Sequence, residues 1–184
     1  MHALDAPSAT TLTQRVAVLT DHFCRVQRER MAGVALLNPA LAVAAVGFEW
    51  GDAQRGGESD VAEGVLITPW FMSLVRLPAR VLPLRHLTGV KFVRDFGSER
   101  FDFIGAHDLA VGYHETCALF SPMQGFDSQD RALETAREVL ALTRPPPASP
   151  TPPGSPEVAS AAQPMPSRRA FFLPGRQAQP GAER

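Results

Sequence analysis

The sequence predicts an α+β fold: an N-terminal helix, a mostly antiparallel sheet of about six strands, a C-terminal helix, and then a disordered Pro-rich tail. Three observations carry this reading. An apolar stripe with helical spacing lies near the start, a series of short apolar runs separated by Gly, Pro and Asp follows, and the composition changes abruptly at Arg144. The chain divides accordingly into a flexible N-terminus (1–10), an α+β domain (11–144) and the tail (145–184).

Leu12, Val16, Leu19, Phe23 and Val26 recur at alternating spacings of four and three, which places them on one face of a helix spanning about residues 11–32. Thr10 or Thr11 can cap it, and Gly33 with Asn38-Pro39 supplies the stop. Six runs rich in Val, Ile and Phe then read as strands: Leu41 to Trp50, Val61 to Thr68, Phe71 to Leu77, Thr88 to Asp95, Arg100 to Ala106 and Gly112 to Phe120. Asp127 offers an N-cap for a last helix whose apolar side holds Ala132, Leu133, Ala136, Val139 and Leu140. Residues 145–184 hold eleven of the seventeen prolines and almost no aliphatic clusters. Such a segment buries too little apolar surface to offset its conformational entropy, so it reads as a tether.

A chain of 184 residues with 45 % apolar content can fill one core. Its formal net charge of −1 gives no field suited to nucleic acid. Residues 1–144 carry fourteen basic against seventeen acidic residues, and the tail four against two. The longest apolar stretches fall well short of the roughly 20 residues of a membrane span, and the N-terminus lacks the basic and apolar blocks of a secretory signal. A cytoplasmic protein without membrane insertion is expected.

Catalytic signatures are thin. Cys24 and Cys117 are too few for a disulfide framework and read as packed free thiols. In "YHETC" the strand period sends His114 and Cys117 to opposite faces, which leaves a packed thiol and a surface imidazole. The histidines lack metal-ligand spacing, and Gly56-Gly57 has no following Lys-Ser or Lys-Thr. No enzyme activity, metal or cofactor is expected.

Two segments invite a binding role. "GVLITPWFMSLVRLP" sets Pro69, Trp70, Phe71 and Met72 at a strand start, and "CALFSPMQGF" sets Phe120, Ser121, Pro122 and Met123 at a strand end. They are either core edges or a paired aromatic and methionine surface able to hold an apolar peptide. Together with "NPALAVAAVGF", these stretches resemble the HybE/HupJ/HoxT-type chaperones for nickel-iron hydrogenase assembly, over about residues 12–142. The resemblance implies a non-catalytic cytoplasmic accessory protein that attends a hydrogenase precursor. The small subunit, which bears a twin-arginine export signal, ranks ahead of the large subunit as client, and other maturation factors are further candidate partners. A metal or redox accessory using the Cys and His residues is the alternative. Some relatives carry a rubredoxin domain, but no Cys-x-x-Cys pair exists here to bind its iron.

The tail contains "SRRAFF": Ser167, Arg168, Arg169 and Phe171 follow a twin-arginine pattern, at the wrong end of the chain and without a long apolar block. It reads as a mimic of the client signal, a docking motif for another factor, or an inert basic stretch. A bound twin-arginine peptide needs carboxylates, for which Asp95, Glu99 and Asp102 are candidates unless they form a solvated turn.

Overall fold

Thr11 caps the first helix: its hydroxyl accepts the Gln14 N–H at 3.3 Å, and the Gln14 side chain accepts the Thr11 N–H at 3.0 Å. The computed structural model describes residues 11–52 and 57–144; the expected N-terminal segment and tail lie outside them. The described elements are α1 (Leu12–Glu29), β1 (Ala44–Trp50), β2 (Val61–Ile67), β3 (Met72–Pro78), β4 (Lys91–Phe96), β5 (Glu99–Asp108), β6 (Gly112–Phe120) and α2 (Gln129–Thr143). A short 3-10 turn at Arg85–Leu87 stands where the fourth strand was expected to begin nearby, so β4 starts at Lys91 instead of Thr88. The N-cap of α2 is Ser128, not Asp127: the Ser128 hydroxyl accepts the Arg131 N–H at 3.3 Å, and Asp127 only accepts from that hydroxyl.

All strand pairs are antiparallel, in the order β1-β2-β3-β6-β5-β4. Strand periodicity sends Ala62, Leu66, Val75 and Leu77 toward α1, where they pack with Leu19, Leu12 and Phe23. The alternate residues Val65, Ile67, Met72 and Leu74 face α2 and pack with Ala132, Ala136 and Leu140. The helices therefore lie on opposite faces of the sheet, which explains why β2 is buried along its whole length. At the far end of α2, Gly97 turns the β4–β5 hairpin with φ +64; any side chain there would collide with the Thr143 carbonyl.

The stripe on α1 has an unexpected member. Arg15 is buried between the helix and the sheet, and its guanidinium donates to the carbonyls of Pro78 and Val111, both at 2.9 Å. It fastens α1 to the end of β3 and to the β5–β6 turn.

Candidate functional site

Three stretches far apart in sequence meet at one side chain. Asn38, nearly buried, donates from Nδ2 to the Met123 carbonyl at 2.9 Å and to the Phe126 carbonyl at 2.7 Å. Its Oδ1 accepts the Ala40 N–H at 3.0 Å, and its own N–H donates to the Pro69 carbonyl at 2.9 Å. One amide thus clasps the segment before β1 to the β2–β3 turn and to the loop after β6. These are the stretches that the sequence reading singled out; Asn38 joins them, together with the Met72–Phe120 strand pairing and the bond from Gln124 Nε2 to the Leu36 carbonyl at 2.9 Å.

The β2–β3 turn is built around Thr68. Its hydroxyl accepts the Phe71 N–H at 2.9 Å and donates to the Phe71 carbonyl at 2.9 Å, so Trp70 and Phe71 stand at the tip of a locked turn. Phe71 meets Trp70 edge-on at 5.7 Å between ring centroids and meets Phe23 of α1 at 5.5 Å. Trp70 and Phe71 are half-buried, as is Phe120, which packs edge-on against Phe126 at 5.2 Å. Ser121 and Pro122, joined by a cis peptide bond, are exposed. Met72 and Met123 are fully buried in the α2-side core, and Pro69 is buried. The expected methionine surface is therefore corrected: both thioethers fill core space, and aromatic and proline rings form the accessible part.

The acidic candidates lie elsewhere on the sheet. Asp95 is on β4 and Glu99 and Asp102 on β5, with β6 and β5 standing between β3 and β4. All three are exposed, and Asp95 pairs with Arg100 at 3.3 Å. Trp70 and these carboxylates do not share one pocket. Ser167, Arg168, Arg169 and Phe171 lie outside the described residues.

A buried ionic row on the α2-facing side had no forecast. Glu63 of β2, Arg76 of β3 and Glu115 of β6 are register partners across three strands, and each is at most 4 % exposed. Arg76 donates to Glu63 at 3.0 Å, to Glu115 at 2.9 Å and to Glu58 at 3.0 Å. Arg94 grips Glu115 with two bonds, at 2.7 and 3.0 Å, and the Tyr113 hydroxyl donates to Glu115 at 3.0 Å. Burial raises the Glu115 carboxyl pKa, but Arg94 and Arg76 outweigh it and hold the group below its ordinary value. For Glu63 burial wins over Arg76 and Arg144, and its pKa is raised. The tyrosine is pushed up to about 12, by burial first and then by the charge of Glu115.

Histidine and cysteine positions make no constellation. His114 and Cys117 do face opposite sides of the sheet, as the strand period required. His114 is not a surface imidazole, however: it is 4 % exposed beneath α1, with Nδ1 3.1 Å from the Gly112 carbonyl, and burial lowers its pKa. His22 sits 3.2 Å from Asp108, which links α1 to the end of β5. Cys24 lies on α1, while Cys117 packs in the α2-side core. Among the described residues no group of three His, Cys, Asp or Glu side chains could hold a metal ion, and no helix is long and apolar enough to cross a membrane.

The described domain is thus a two-helix, six-stranded antiparallel α+β fold with a half-buried aromatic pair at the β2–β3 turn. Residues 14–174 match the family model described as "[NiFe]-hydrogenase assembly, chaperone, HybE". Protein HoxT of Cupriavidus necator is 43 % identical over 149 residues, covering 76 % of this chain and 80 % of that protein. The hydrogenase expression/formation protein HoxT of Azotobacter vinelandii is 38 % identical, covering 64 % of this chain and 72 % of that protein. A probable rubredoxin HupJ of Rhodobacter capsulatus is 35 % identical over 68 % of this chain but only 43 % of its own length. The solution structure of HybE from Escherichia coli shares the fold, with a TM-score of 0.55 and 21 % identity over 91 % of this chain and 97 % of that one. This chain belongs to the HybE family of [NiFe]-hydrogenase assembly chaperones.

Proposed function

We propose that this chain is a non-catalytic, cytoplasmic chaperone that binds a nickel-iron hydrogenase precursor before export, with the small subunit and its twin-arginine signal as client. The observation that carries the reading is the convergence on Asn38 of the three stretches behind the family resemblance, next to the half-buried Trp70 and Phe71. A half-buried aromatic pair on a locked turn offers a large apolar contact with little side-chain entropy left to lose, which suits an apolar peptide stretch. Phe120, Ser121 and Pro122 extend that surface, and Asp95, Glu99 and Asp102 are the carboxylates proposed for the paired guanidinium groups. One strand separates β3 from Glu99 and Asp102 on β5, and two separate it from Asp95 on β4, so an extended client segment must span two to three strand spacings, roughly 10–14 Å or about three to four residues. Arg168 and Arg169 are proposed as a mimic of the client's twin-arginine signal.

Calorimetric titration of the full chain with a small-subunit signal peptide tests this, with an Arg-Arg to Lys-Lys peptide as control. Binding is expected to weaken about tenfold or more in Trp70→Ala and to tighten when Arg168 and Arg169 are replaced by alanine. Equal affinity for the signal and the Lys-Lys control would sink the signal-recognition reading, and capture of the large subunit alone would reassign the client.

A further inference from the structure

Among the described residues β4 pairs on one side only, with β5. The Gly105 N–H donates to the Val90 carbonyl at 2.9 Å, which makes the neighbouring pair Lys91 and Ile104 a non-exchanging one in the antiparallel ladder. By that alternation the backbone groups of Lys91, Val93 and Asp95 point away from β5. Their side chains share the face on the α1 side, where Val93 is 57 % exposed.

The opposite edge of the sheet is built differently. In β1 the register slips between Val46 and Glu49, Gly47 takes φ +59, and Arg144 donates to the Gly47 carbonyl at 2.8 Å. Bulges and covered carbonyls are the usual ways to blunt an edge. Among the described residues β4 has neither: its six residues keep one unbroken register with β5.

We infer that β4 is the interface of a two-fold homodimer, formed by antiparallel pairing of the strand with its own copy about Val93. In that register Val93 faces the partner's Val93, Lys91 faces the partner's Asp95, and Asp95 faces the partner's Lys91. All three positions carry outward backbone groups, so each pair exchanges both of its bonds, about six hydrogen bonds in all. A centre at Lys91 or at Asp95 would set like charges against each other, which selects the Val93 register. Lysine on an edge strand ordinarily discourages pairing. Here the self-complementary spacing of Lys91 and Asp95 gives it an opposite charge. The joined sheets leave Trp70 and Phe71 three strands from the interface in each copy, and with Asp95 taken up by the pairing the client's guanidinium groups fall to Glu99 and Asp102, so the dimer presents two client surfaces.

Sedimentation equilibrium of the full chain over a range of concentrations tests the pairing. A dimer with Kd below about 100 µM is expected. Val93→Pro removes the central outward donor and is expected to give a monomer with unchanged circular dichroism. Lys91→Asp should weaken the dimer about tenfold or more by opposing two carboxylate pairs, and the double variant Lys91→Asp/Asp95→Lys should restore it. A wild-type chain that stays monomeric to about 100 µM overturns the inference. So does a dimer that Lys91→Asp leaves intact, or one that the folded double variant fails to recover.

Discussion

Ile67, Met72 and Phe120 meet at one end of the central strands, while Glu63, Arg76 and Glu115 meet four residues further along β2 and β3 and five along β6, on the same face. The first group packs without directional bonds, and the loops beyond it are gathered by one amide, Asn38. The second is held by charged hydrogen bonds of 2.7 to 3.0 Å that leave no freedom of register. The contrast assigns different work to the two ends. A slip of one residue between β2, β3 and β6 would carry the carboxylates to the α1 face and strand Arg76, so the ionic row fixes the pairing. The apolar end, which packs without directional bonds, adds no register signal of its own.

The largest effect expected from breaking this contrast is at its ionic side. Arg76→Ala leaves Glu63 and Glu115 buried without their shared cation and should cost about 3–5 kcal/mol of unfolding free energy, measurable by denaturant titration. Glu115→Gln removes the carboxylate gripped by two arginines and should cost about 2–3 kcal/mol. Glu63→Gln should cost clearly less, because its ionisation is already opposed by burial. Equal losses in the two glutamine variants would show that Arg76 does not discriminate between its partners. At the apolar end, Asn38→Ala orphans the Phe126 carbonyl, leaves the Met123 carbonyl with the Phe126 N–H alone, and should cost about 2 kcal/mol. It should also loosen Trp70, seen as a fluorescence change in a Trp50→Phe background, whereas Arg76→Met should leave that signal in place.

The smallest expected effect is a pH dependence. The folded-state pKa of His114 is lowered by burial, so the unfolded chain holds more protons just below the ordinary histidine value. Its contribution is complete above about pH 6.5 and is lost as pH falls toward the folded value. Glu115, also lowered, adds a second loss further down, as pH drops below the ordinary carboxylate range through its folded pKa. Replacing His114 with Gln is expected to reduce the first loss to the part owed to His22, whose pKa burial also lowers, and to leave the second, in denaturation curves taken between neutral and mildly acidic pH.

Much of the architecture follows from local patterns. The six apolar runs became six strands, and the stripes of Leu12, Leu19 and Phe23 and of Ala132, Ala136 and Leu140 became the buried faces of α1 and α2. Helical and strand periods reflect backbone geometry, which neighbouring residues reveal without any knowledge of the fold. The misread cap at Asp127 shows the limit of that information: adjacent Asp and Ser are both able caps, and the path of the incoming loop chooses Ser128.

The candidate site divided along the same line. That "ITPWFM" and "LFSPM" belonged together was readable from their composition, but which of their side chains would be accessible was not. Met72 and Met123 look as available as Trp70 in the sequence, yet the pleat directs both into the α2-side core. His114 read as a surface imidazole, and Arg15 and the row of Glu63, Arg76 and Glu115 carry no local signal of burial. Periodicity and composition thus determined the elements and their order, because those depend on neighbours along the chain. Register, burial of charge and the convergence on Asn38 were decided by tertiary structure, because each depends on partners between 13 and 96 residues away that no local pattern encodes.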